Sequence, residues 1–103
     1  MALEELKQYH FARSDFADAF RQVLGDDGTD KVVQACLGHV HTDSFLLTYH
    51  EDEYYVLHRD SGTLINWYKH VGRTNTCSDP AMDLDGLREF LTLLAGDLGI
   101  RRP

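Results

Sequence analysis

Hydrophobic and polar positions along the chain fall into three zones that differ in period. From Ala2 to Leu24 the apolar residues Leu6, Tyr9, Phe16, Phe20 and Val23 follow helical spacing, broken where Arg13 takes an apolar place. Ser14 and Asp15 are N-cap residue types, since a short side-chain oxygen accepts from the free amides of a first turn. The pattern predicts a helix from about Leu3 to Phe11 and a second from about Asp15 to Leu24, with one bent helix as the competing reading. Gly25 suits the position just past a helix end, and Asp26-Asp27-Gly28 reads as loop.

From Lys31 to Val71 the period becomes two and the residues turn β-branched and aromatic. Ser44 to His50, Glu53 to Arg59 and Thr63 to Val71 read as strands. The first two meet at Glu51-Asp52 and the next pair at Asp60-Ser61-Gly62, connections short enough to force antiparallel neighbours. Lys31 to His41 is assigned to a further strand on the strength of Val32 and Val33, against a short helix framed by Thr29 and Gly38.

The last zone is helical. Leu84, Leu87, Leu91, Leu94 and Leu98 recur at spacings of three and four, Asp79-Pro80 can open the helix, and Gly99 ends it. Together the zones predict an α+β fold in one domain over residues 1–103, an antiparallel three- to four-stranded meander flanked by an N-terminal helix or helices and a C-terminal helix.

Both phases of the predicted strands carry large side chains, as in Phe45-Leu46-Leu47-Thr48-Tyr49 and Leu64-Ile65-Asn66-Trp67-Tyr68, so both sheet faces call for cover. Two packings satisfy this. The helices sit one on each face, or both sit on one face and leave an aromatic-rich surface for a partner or a second copy.

Charge then narrows the partner. Ten Lys and Arg against seventeen Asp and Glu give a net charge of −7, which opposes whole-surface attraction to nucleic acid or anionic lipid. The charge is unevenly spread. Between Tyr54 and Ser78 stand Arg59, Lys69 and Arg73 against Asp60 alone, a local +2 that leaves −9 for the rest. Protonation of all six histidines would bring −7 to −1, so solubility is expected to be poorest around the sequence pI of 5.1. No run of eighteen apolar residues occurs, and Met1 is not followed by a basic and then apolar leader pattern. The expectation is a cytoplasmic chain with no membrane partner, its thiols reduced, Cys36 and Cys77 lying too far apart in sequence for a C-x-x-C pair.

Three functional classes follow. The first is an interaction or regulatory protein, self-associating or binding another protein, with Tyr49, Tyr54, Trp67 and Tyr68 as anchors and Arg59, Lys69 and His70 as a cationic rim. In a competing reading Trp67, in phase with Ile65 and Val71, faces the core. The second class is a metal-dependent enzyme or metal-binding protein built on His39-x-His41, since residues i and i+2 of a strand project from one face. His50, His58 or His70, with Asp43 or Glu51, would complete its ligand set. The third is a single-stranded nucleic-acid binder that stacks bases on the aromatics of the 54–78 hairpin.

Catalytic motifs are thin and no cofactor is expected. His41-Thr42-Asp43-Ser44 cannot form a triad from adjacency, because strand neighbours point to opposite faces. Gly25-Asp26-Asp27-Gly28 lacks the basic residue of a phosphate loop, and Asp83-Leu84-Asp85-Gly86 has Ala81 and Thr92 where a calcium loop needs carboxylates.

Overall fold

The computed structural model describes residues 8–9, 13–68, 74–77 and 82–101, with side chains over 15–68 and 82–101. The elements run β1 (Gln8–Tyr9), α1 (Arg13–Leu37), β2 (Phe45–His50), β3 (Glu53–His58), β4 (Leu64–Tyr68), β5 (Thr74–Cys77) and α2 (Leu84–Leu98). The strands form one antiparallel sheet in the order β1-β5-β4-β3-β2.

The α+β class and the meander are as the period predicts, and β5 and β1 widen the sheet at one edge. Glu51 and Asp52 form the two-residue turn between β2 and β3 with φ of 49° and 67°, a primed turn whose twist matches that of the strands. At the other end Gly62 takes φ 76°, and two bonds close the hairpin, His58 N–H to the Thr63 carbonyl at 2.8 Å and Gly62 N–H to the His58 carbonyl at 2.9 Å.

Two local expectations are corrected. Residues 8–9 pair with β5 instead of belonging to a helix over 3–11; the remainder of that stretch lies outside the described residues. Residues 31–37 are the end of α1, not a strand. Val32, Ala35 and Cys36 recur at helical spacing and are buried, so packing overrides the β-preference of Val32 and Val33. Gly25 interrupts α1 with φ 70° and ψ 175°, a conformation closed to residues with a Cβ, and divides it into arms over 13–24 and 26–37.

Both helices end in the same way. Val40 N–H reaches back to the Ala35 carbonyl and His39 N–H to the Cys36 carbonyl, both at 3.1 Å, with His39 left-handed at φ 52°. Ile100 N–H reaches the Ala95 carbonyl at 2.9 Å with Gly99 at φ 68°. Each is a Schellman closure, which satisfies last-turn carbonyls and turns an apolar residue back onto the helix. At its other end α2 begins later than Asp79-Pro80 suggests. Asp83 is the N-cap and accepts from Gly86 N–H at 2.8 Å, and residues 79–80 lie outside the described residues.

Register divides the meander into two faces. Phe45 and Leu47 of β2, Tyr54 and Val56 of β3, and Ile65 and Trp67 of β4 share the inner face and are all buried. Both helices cover that face. From α1, Phe16 and Phe20 bring their rings to 6.0 and 5.0 Å from Trp67, and from α2 Phe90 meets Phe45 edge-on at 5.4 Å. Leu87, Leu91 and Leu94 of the leucine stripe have no exposed surface, each contributing about 1.5–3 kcal/mol of burial before entropy is subtracted. Where the helices cross, Gly28 lies so near Ile100 that a Cβ there would meet Ile100 Cγ2 at 2.6 Å. The loop over 38–44 returns along β2, where Val40 carbonyl accepts from Leu47 N–H at 2.9 Å and Thr42 Oγ1 donates to Asp97 of α2 at 2.6 Å.

Candidate functional site

With both helices on the inner face, the outer face of the meander is built from the other strand phase. Its first cross-strand row is Leu46, Leu57 and Leu64, its second Thr48, Tyr55 and Asn66, and its third His50, Glu53 and Tyr68. Among the described residues no helix packs on it. The three leucines are partly buried, and Asn66 in the second row is buried at 6% exposure. Beside them Glu53 is held by two donors, Asn66 Nδ2 at 2.7 Å on Oε1 and Tyr55 hydroxyl at 3.1 Å on Oε2. Partial burial, and then the Glu53 carboxylate that accepts its proton, push the Tyr55 phenol above its ordinary pKa. The polar groups of this face are therefore oriented before any partner arrives.

The residues predicted as contacts separate across the sheet. Tyr54 and Trp67 lie in the core beneath α1, stacked on one another at 5.3 Å, 6% and 9% exposed, so neither ring is presented to a partner or a base. The phase shared by Trp67 and Ile65 decides this. Tyr49 belongs to the same inner face at its margin, its ring 5.1 Å from Tyr54 and its hydroxyl donating to Asp52 at 3.0 Å. Tyr68 stands half-buried on the outer face, and Arg59 is exposed in the β3–β4 turn. Lys69 and His70 lie outside the described residues.

The described histidines do not gather. His39, predicted to share a strand face with His41, sits instead in the left-handed closure of α1, with Nδ1 2.6 Å from Thr48 Oγ1. His41 makes a single bridge to Leu46. His50 lies 3.6 Å from Glu51 at the exposed turn. Among the described residues no group of three His, Cys, Asp or Glu converges to hold a metal ion. Cys36 is fully buried, its thiol pushed up to about 12 by desolvation, so it is held protonated and unreactive.

A second feature was hidden in the sequence. A cleft of about 310 Å³ opens between α2 and the β3–β4 turn, lined among others by His58, Ser61, Phe90 and Leu93. His58 Nδ1 lies 2.7 Å from Ser61 Oγ, which donates to Thr63 Oγ1 at 2.9 Å and accepts from Thr63 N–H at 3.2 Å. A Ser–His contact in a cleft invites a nucleophilic reading. Here the serine proton goes to Thr63, and the amides of Gly62 and Thr63 are spent inside the turn, so neither stabilises an oxyanion. The triplet staples the hairpin. Its sequence signals were the His58–Ser61 spacing across a turn and Leu93, which falls off the leucine stripe and is 52% exposed.

Among the described residues no helix is long and apolar enough to cross a membrane. No family model, curated protein or solved structure matches this chain.

Proposed function

We propose that the chain is a small interaction module that works through the outer face of its sheet, and that the occupant of this face is a second copy of the chain. The observation that carries the reading is the placement of both helices on the inner face, so that neither helix covers Leu46 and Leu57 on the outer one. Anchoring then passes from Tyr54 and Trp67 to these leucines and to Tyr55 and Tyr68.

Charge favours self-association over a strongly charged partner. Of the nine outer-face residues of β2, β3 and β4, Glu53 alone is formally charged with histidine neutral, on a protein of net charge −7. Among the described residues the exposed acids stand on the helices, Asp15, Asp18, Asp26, Asp27 and Asp30 on α1 and Asp85, Glu89 and Asp97 on α2, and in the connections, Asp43, Glu51, Asp52, Asp60 and Asp83. Two copies meeting sheet to sheet turn the helix acids outward, and charge-depleted, tyrosine-bearing patches are what interface cores contain.

Size sets the strength. Strands of two to six residues, rising about 3.3 Å per residue and spaced about 4.8 Å apart, present roughly 360 Å² of flat face, short of the ~800 Å² per partner that stable complexes bury. The association is therefore weak and concentration-dependent. Sedimentation equilibrium from micromolar to millimolar protein should show the mass rising towards that of a dimer, and Leu57→Lys should abolish the rise while leaving the far-UV spectrum unchanged. A wild-type mass that stays monomeric throughout, or a Leu57→Lys protein that associates as the wild type does, would overturn the proposal.

A further inference from the structure

The cleft between α2 and the β3–β4 turn has one apolar wall and one polar wall. Phe90 and Met82 supply a buried apolar floor, and Leu93 stands over it with half its surface exposed. Across from them, at the end of β3 and in the turn, are His58 and Ser61, while Glu89 lines the cleft from α2 itself, beside Phe90.

The polar wall offers acceptors. Ser61 Oγ lies 2.9 Å from Thr63 Oγ1 and 2.7 Å from His58 Nδ1, and where Ser61 donates to Thr63, His58 donates from Nδ1. A neutral His58 is then the Nδ1–H tautomer, and Nε2 carries a lone pair. Glu89 adds a carboxylate. It forms no ion pair among the described residues, while its neighbour Arg88 is engaged elsewhere, with Asp85 at 3.0 Å and Gln22 of α1 at 3.1 Å.

We infer that this cleft binds a small amphiphilic amine, an aromatic or branched aliphatic group bearing a protonated primary amine. The apolar body lies on Phe90 and Leu93, and the ammonium, which has donors and no acceptor, meets Glu89 and His58 Nε2. At about 310 Å³ the cleft stands at the small end of ligand sites and suits a fragment-sized molecule, with affinity in the millimolar range. The inference is independent of the outer sheet face.

The test is a set of amide-correlation NMR titrations of the full chain near neutral pH with 2-phenylethylamine, 2-phenylethanol and 3-phenylpropionate. The amine should give saturable shifts at residues 58–63 and 86–93 and bind roughly five- to tenfold more tightly than the alcohol, as a charge-assisted bond to a carboxylate implies. The carboxylate should not saturate. Glu89 and Leu93 are exposed, so Glu89→Gln and Leu93→Ala leave the fold intact. Glu89→Gln should bring the amine down to the affinity of the alcohol without changing the alcohol, and Leu93→Ala should weaken both alike. Imidazole nitrogen shifts should report the Nδ1–H tautomer at His58. Carboxylate binding equal to that of the amine, an amine-to-alcohol ratio untouched by Glu89→Gln, or an Nε2–H tautomer in the free protein would each defeat the inference.

Discussion

Gly28 and Gly96 are both helical glycines, and replacing each with alanine should move stability in opposite directions. Alanine restricts the unfolded chain and favours the helix, a gain of about 0.5–1 kcal/mol wherever the new methyl finds room. At Gly96 nothing lies within 4 Å of the added Cβ, so the full gain should appear. At Gly28 the added Cβ would stand 2.6 Å from Ile100 Cγ2 and 3.1 Å from Leu24 Cβ, where carbon atoms prefer ~3.5–4.0 Å. Cγ2 is the short branch of an isoleucine fixed by the Gly99 closure, so relief requires the end of α2 to move about 1 Å away from α1. Overpacking of this kind costs about 1–3 kcal/mol, which outweighs the helix gain and leaves a net loss of about 1 kcal/mol. The two variants should therefore lie about 2 kcal/mol apart, roughly 8–16 °C in Tm for a domain of this size. Urea denaturation followed by far-UV circular dichroism gives the midpoints, and an unchanged m-value confirms that the denatured state is not the source. In an Ile100→Ala background the nearest remaining Ile100 atom is its Cβ at 3.9 Å, so most of the Gly28→Ala penalty should vanish. A Gly28→Ala protein as stable as Gly96→Ala, or a cycle additive to within ~0.5 kcal/mol, would refute the close approach of the two helices.

Two further outcomes follow from single residues. Cys36 is raised to about 12 in the folded protein from an ordinary value of 9.0, so above pH 9 the unfolded thiol ionises while the native one does not. The native state then holds more protons, and stability should fall with rising pH across the window from about 9 to 12, by up to ~1.4 kcal/mol per unit. Tyr54, raised by burial and then by nearby Cys36, acts in the same direction. Urea midpoints at pH 8 and pH 10 check the sign, and in a Cys77→Ser background Cys36 should react with a thiol reagent only under unfolding conditions. Asp83→Ala removes the acceptor for Gly86 N–H and should cost about 1 kcal/mol, with Asp83→Asn retaining most of the stability. Equal loss in both variants would point to the charge of Asp83 and not to its hydrogen bond.

The hairpins and the C-terminal helix were readable because their signals are local. Glu51-Asp52 and Gly62 mark turns, and Leu87, Leu91 and Leu94 repeat with the period of the surface they bury. The second arm of α1 was not readable from preference. Gly25 and Asp26-Asp27-Gly28 read as a helix end and a loop, and Val32 and Val33 favour a strand over the short helix framed by Thr29 and Gly38, yet burial of Val32, Ala35 and Cys36 decides for helix. Phase along β3 and β4 puts Tyr54 opposite Trp67, but nothing local states which face the helices choose. That choice rests on contacts between residues such as Phe20 and Trp67, far apart in sequence, and with it went the identity of the outer-face residues.

The loop that follows α1 has a further consequence. A sheet normally ends in a row of unpaired amides and carbonyls, the template on which strands of other molecules add and fibrils grow. At β2 part of that row is occupied from within, since Val40 takes the Leu47 amide and His41 bridges Leu46. The opposite border, among the described residues, is the two-residue β1. Among the described residues neither border offers a long open ladder, so strand addition there should be disfavoured, and copies are left to meet through side chains and not through backbone.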